Sequence, residues 1–88
     1  MKLRYKFACA PVGEIIMAVA VGRDAAQYHG MVEMNDVGAF LFRKLQRDIS
    51  EEALVQALLE EYDVTTETAS RDVREFLNLL DEKGILEK

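Results

Sequence analysis

The sequence is poor in the residues from which active centres are assembled. It holds one histidine, one cysteine, one proline and no tryptophan among 88 residues. A lone histidine, His29, excludes a His–His metal pair and leaves no spare parts for a Ser–His–Asp set. It lies in a polar stretch beside Gly30 without an evident reactive partner, so it reads as a surface or packing residue. A lone cysteine, Cys9, excludes an internal disulfide and fits a reducing compartment. It alternates with apolar neighbours, as a small buried hydrophobe would, and no histidine or helix N-terminus is placed to activate its thiol. The acidic group Glu60, Glu61 and Asp63 lacks the spacing and glycine of a calcium loop and reads as a solvated helix end. No catalytic residue, metal site or cofactor is therefore expected.

Long apolar runs are missing too. None reaches the ~20 residues of a membrane span, and no charged segment followed by an apolar one opens the chain. The expectation is a cytoplasmic protein with no membrane partner. Positive charge is also scarce, with 11 Lys and Arg against 16 Asp and Glu and a net charge of −5. Binding to nucleic acid rests on clustered basic residues that neutralise phosphates, and the overall sign opposes it.

What is present is apolar: half of the residues are hydrophobic, which places the chain among globular proteins. The length suffices for one domain, residues 1–88, and at this size only about 60–65% of the unfolded chain's surface is buried, so modest stability is expected. Periodicity divides the domain. Between residues 3 and 10, Leu3, Tyr5, Phe7 and Cys9 alternate with Arg4 and Lys6, the period of a half-buried strand. Pro11-Val12-Gly13 predicts a turn. Ile15 to Val21 is a continuous apolar run rich in β-branched residues and ended by Gly22, which predicts a central strand over about residues 14–22 with both faces covered. A polar connection from Arg23 to Gly30 leads to a third strand over residues 31–34. These three suit an antiparallel meander.

Helical spacing takes over at Asn35. Asn35 is a good N-cap for a helix over about 36–47, with Asp36 in the favourable first turn and Val37, Phe40, Leu41 and Leu45 on one face. Gly38 costs that helix roughly 1 kcal/mol relative to alanine. Ser50 opens a second helix over 51–62, with Ala53, Leu54, Ala57, Leu58 and Tyr62 as its stripe. A third helix over 66–83 starts at Thr65 or Thr66, and neither choice builds a capping box. Ala69, Val73, Phe76, Leu77 and Leu80 form its core stripe, and Gly84 suits the position after its end, letting Ile85 and Leu86 fold back. The fold class is α+β: a three-stranded antiparallel sheet followed by a three-helix bundle, arranged like a winged helix-turn-helix.

Two features of this layout bear on function. Arg71, Arg74 and Asn78 share one face of the third helix, where a DNA reader would place base contacts. Asp72 and Glu75 beside them would repel phosphates, and the plainer reading pairs Arg71 with Glu67 or Glu75 and Arg74 with Asn78 or Asp81. The second feature is an edge strand, Met31, Val32, Glu33 and Met34, whose unpaired backbone groups can accept an added peptide strand. Methionine adapts to varied partners, although both methionines also suit a core. Proline at Val32 is predicted to abolish such pairing.

The run MVEMNDVGAFLFRKL, the stretch LLEEYDV, and the spacing Asp72-Val73…Phe76-Leu77…Leu80 leading to Gly84-Ile85-Leu86 resemble the PqqD family, peptide-binding domains also called RiPP recognition elements. The resemblance covers about residues 15–87. It implies a non-catalytic domain that takes the leader of a ribosomally made precursor peptide as an added strand and presents it to a modifying enzyme, often of the radical SAM type. Carried over by position, the binding strand is Met31, Val32, Glu33 and Met34, and the helix side draws on Arg71, Arg74, Glu75 and Asn78. Phe42 stands where the family commonly has tryptophan and Asp48 where glycine often precedes the second helix. These departures point to a divergent member outside the founding coenzyme pathway. The competing expectations are a winged-helix DNA-binding regulator and a homodimer paired through the same edges; the monomeric or homodimeric state stays open.

Overall fold

Alternation and turn chemistry act first, in a hairpin. The computed structural model describes all of residues 1–88. After β1 (Lys2–Leu3), strand β2 (Phe7–Val12) pairs antiparallel with β3 (Ile15–Ala20), from Phe7 opposite Ala20 to Val12 opposite Ile15. The two-residue loop is Gly13-Glu14, with Gly13 at φ 65° and Glu14 outside the left-handed region, the pattern of a type II′ turn. The turn expected at Pro11-Val12-Gly13 thus starts two residues later, and Pro11 lies inside the strand. Val21 N–H donates to the Lys6 carbonyl at 3.0 Å, which sets the ladder's phase. Even-numbered residues of β2 bond to β3, and odd-numbered ones face the open edge. Pro11 therefore occupies an outward position, where a missing N–H costs no ladder bond.

The single strand expected over residues 3–10 is divided. Lys2–Leu3 pairs with β5 (Leu86–Glu87) in a separate two-stranded ribbon that ties the two ends of the chain together. Leu3 N–H donates to Leu45 O and Arg4 N–H to Ile85 O, each at 2.8 Å. Pairing with a distant segment overrides the local alternation.

Gly22–Ala26 forms a 3-10 turn in the connection read as irregular. Asp24 accepts from Lys6 N–H at 2.6 Å, and Tyr28 stacks on Tyr5 with centroids 5.9 Å apart. Strand β4 (Met31–Met34) then pairs antiparallel with β3, giving the order β2-β3-β4. The three helices follow: α1 (Asp36–Lys44), α2 (Glu51–Glu61) and α3 (Thr66–Glu82). Asn35 and Ser50 cap α1 and α2, accepting from Gly38 and Ala53 N–H at 2.8 and 3.1 Å. Thr65 caps α3, accepting from Thr68 N–H while its own hydroxyl donates to Thr68 Oγ1, both at 3.1 Å. At the far end Gly84 takes φ 73°, Gly84 N–H donates to Asp81 O and Ile85 N–H to Leu80 O. This is a Schellman motif, with buried Ile85 and Leu80 as its apolar contact.

The helices cover one face of the sheet. Ala18, Val32 and Met34 are buried against Leu41 and Phe42 of α1 and Leu45 at its end, Leu54 and Leu58 of α2, and Val73, Leu77 and Leu80 of α3. Each fully buried Leu or Phe contributes roughly 1.5–3 kcal/mol. The other face has no layer on it: Val19 and Met31, opposite each other in the ladder, are both exposed. The expectation that β3 is covered on both faces is thereby corrected. Phe42 is fully buried between Phe7 and Phe76, edge-on to each. Asp48 accepts from the Met1 ammonium at 2.6 Å.

Candidate functional site

Strand β4 has one satisfied edge and one open edge. Because odd-numbered residues of β3 bond to β2, its even-numbered residues bond to β4, opposite Val32 and Met34. The backbone groups of Met31 and Glu33 therefore point away from the sheet. Their side chains lie on the exposed face as well, whereas Val32 and Met34 are buried. All four residues expected at the edge are there, in two roles. Val32 and Met34 anchor the strand, and Met31 and Glu33 present its unpaired N–H and C=O groups.

A groove of about 280 Å³ opens where β4 runs into α1, lined by Asn35, Val37, Asp72, Glu75, Phe76 and Leu79. Its far wall is α3, whose residues 72, 75, 76 and 79 share a face at helical spacing. Gly38 allows α3 to approach. A Cβ there would meet Met34 Cβ, Asn35 Oδ1 and Phe76 Cε1, each at 3.3 Å, closer than such contacts normally fall. Phe76 is half-buried and held edge-on against Phe42, with centroids 6.5 Å apart, so the groove's floor is braced from the core. Leu79 is 39% exposed at one end. The walls are acidic. Glu75 has no ion-pair partner, and Asp72 meets only its neighbour Arg71, at 3.8 Å.

The helix residues expected at the site separate into two groups. Glu75 lines the groove, and Arg71 sits beside it, exposed, through its contact with Asp72. Arg74 and Asn78 lie on the opposite flank of α3, in a larger depression of about 490 Å³ that also involves Glu51, Leu77, Asp81 and Leu86. There Arg74 donates to Glu51 Oε2 from Nε at 3.0 Å and from Nη2 at 2.8 Å. The pairings expected within α3, of Arg71 with Glu67 or Glu75 and of Arg74 with Asn78 or Asp81, are replaced by Asp72 and Glu51. Arg74 reaches across to α2 because the two helices pack together, which spacing along one helix cannot reveal. The groove residues missed from sequence are Asn35, Val37, Asp72, Phe76 and Leu79. Their signal was available in the 72, 76, 79 spacing, but Phe76 was assigned wholly to the core.

The remaining candidates for reactivity stay apart from this groove. His29 Nε2 lies 3.2 Å from the carbonyl of Ala26. Cys9 is exposed rather than buried, because β2 runs past the helices after Phe7. Its sulfur is still partly desolvated, which pushes the thiol pKa up, with Arg43 offsetting part of that rise. No three His, Cys, Asp or Glu side chains converge as metal ligands, and no helix is long and apolar enough to cross a membrane.

Comparison with known proteins adds three findings. The family model described as "Coenzyme PQQ synthesis protein D (PqqD)" matches residues 13–86. Two solved structures are similar over nearly the whole length. TbiB1 in complex with the TbiA(beta) leader peptide shares 25% identity at a TM-score of 0.73, covering 99% of this chain and 95% of that one. Lasso peptide synthetase B1 complexed with the leader peptide shares 24% identity at a TM-score of 0.69, covering 99% and 96%, and supports the fold. No curated protein matches.

Proposed function

This chain belongs to the PqqD family, and on that premise we propose that it is a non-catalytic recognition module for the leader of a ribosomally made precursor peptide. The leader adds as a strand to β4, bonding to the outward backbone groups of Met31 and Glu33. Alternate side chains of that strand enter the groove between Asn35–Val37 and α3. The bound precursor is then presented to a separate modifying enzyme.

The observation that carries this reading is the conjunction of an open edge on β4 with an apolar-floored groove beside it. Strand addition uses that combination, backbone bonds for affinity and pockets for specificity. The leader complex of the similar TbiB1 supports the same reading. Ordering a flexible leader offsets part of the interaction energy, so micromolar to submicromolar affinity, about −8 to −9 kcal/mol, is expected. The α3 face is ill suited to duplex DNA: Arg74 is engaged by Glu51, and Asp72 and Glu75 stand on the groove side.

The test is an amide chemical-shift titration with the leader of a short peptide encoded beside this gene. Shifts concentrated at residues 31–35 and 72–79 are the expected outcome. Saturable binding that perturbs neither segment would refute strand addition at β4.

A further inference from the structure

The groove's chemistry selects among leaders. Resting on the reading above, we propose that it recognises a leader with a lysine or arginine two residues from a large apolar side chain, both on the groove face of the added strand. The apolar part follows from Val37, Phe76 and Leu79, which line a cavity of about 280 Å³ with room for a large aliphatic or aromatic side chain. The basic part follows from Asp72 and Glu75 on the same wall. Glu75 has no cation within ion-pair distance, and Asp72 makes a single long contact, 3.8 Å, with exposed Arg71, so Glu75 carries an unpaired carboxylate. A peptide acid placed there would meet two like charges, so discrimination comes from repulsion as well as attraction.

The spacing follows from two geometries. Glu75 and Leu79 are one helical turn apart, about 6 Å along α3. Successive same-face residues of a strand are about 6.7 Å apart. A strand lying along α3 thus sets one side chain against Leu79 and Phe76 and the next on that face against Glu75 and Asp72. Glu33 adds a carboxylate on the strand's other side, exposed on the outer sheet face, so a cation there is favoured as well. The opposite flank of α3 offers no such preference: its Arg74 and Lys88 are paired with Glu51 and Asp81.

The experiment is a phage selection of short random peptides against the intact chain, with enriched peptides measured by calorimetry and amide shifts. Lys or Arg two positions from Leu, Ile, Phe or Tyr should be enriched. Replacing that cation with glutamine should weaken binding roughly three- to tenfold. The D72N/E75Q variant should show the same loss with the unaltered peptide and no further loss with the glutamine peptide. The E60Q/E61Q variant removes equal charge from α2 and should leave affinity unchanged, separating local recognition from long-range steering. Peptides that shift Met31 and Glu33 but tolerate glutamate at the cation's position would overturn the charge inference while leaving strand addition intact. Selected peptides that bind without perturbing β4 would overturn strand addition itself.

Discussion

The sheet has two edges, and they differ in what they offer. On β2 the outward backbone positions are Phe7, Cys9 and Pro11; proline removes one donor, and after Phe7 every residue of β2 is exposed, so the only depression beside it, about 260 Å³ lined by residues 2–7, Gln46 and Glu87, lies at the start of the strand. On β4 the outward positions are Met31 and Glu33, both with donors, and the strand leads into the groove walled by α3. An unpaired edge becomes a binding site when its donors are intact and a second surface stands beside it to receive side chains. The β2 edge is blunted; the β4 edge is equipped.

The largest predicted effect comes from blocking the equipped edge. Glu33→Pro removes an outward N–H from an exposed position, so the fold should persist while leader affinity falls by ~2–3 kcal/mol, about 30- to 150-fold, in calorimetry. Cys9→Pro does the same to the β2 edge and should leave affinity unchanged. Equal losses in the two variants would erase the distinction between the edges. Val32→Pro is not the informative variant that sequence suggested, because Val32 is fully buried and bonds inward to β3.

A second effect sharpens the role of the groove. Phe76→Ala removes a half-buried ring braced by Phe42 and should cost about 2 kcal/mol in urea unfolding, less than a fully buried Phe. Leader affinity should fall roughly tenfold in the folded variant, through loss of the groove floor. Unchanged affinity would mean that the edge acts without the groove.

Labelling should find the β2 edge dispensable. Cys9 is exposed, but its raised thiol pKa leaves little thiolate at neutral pH. Alkylation followed by mass spectrometry should be slower than for a free thiol, and should speed up as pH climbs through the raised value. The labelled protein should bind leader as before.

The smallest effect lies away from both edges. The Met1 ammonium donates to Asp48 and holds its carboxyl below the ordinary range. A depressed carboxyl pKa stabilises the fold above its unfolded value, about 3.9, and that contribution is lost as pH falls through the lower folded value. Asp48→Asn should slightly reduce stability at neutral pH, with the difference vanishing in acid. Asp48 is fully solvated, so the difference should be near the resolution of thermal melts, and peptide affinity should not change.

Much of the fold was legible because its signals are local. Asn35 and Ser50 cap where side-chain chemistry says they should, Gly84 turns the chain where a positive φ is needed, and the short segment between the polar Arg23–Gly30 connection and the cap Asn35 forms the expected strand over residues 31–34. The ribbon of Lys2–Leu3 with Leu86–Glu87 was not legible, since each piece is too short for periodicity. Phe76 was read as core from its spacing, which cannot distinguish a side chain inside the bundle from one at the mouth of a groove. The pairing of Arg74 with Glu51 was hidden for the same reason: it joins two helices whose packing no single-helix pattern encodes.

Local sequence alone determined the order of the meander strands and of the three helices, because propensity, capping and turn chemistry act over a few residues. Tertiary structure alone decided which of the two open edges leads into the groove walled by α3, which backbone groups on it point outward, and which flank of α3 faces it. Those depend on ladder phase and helix packing, and both are set by contacts between residues far apart in the chain.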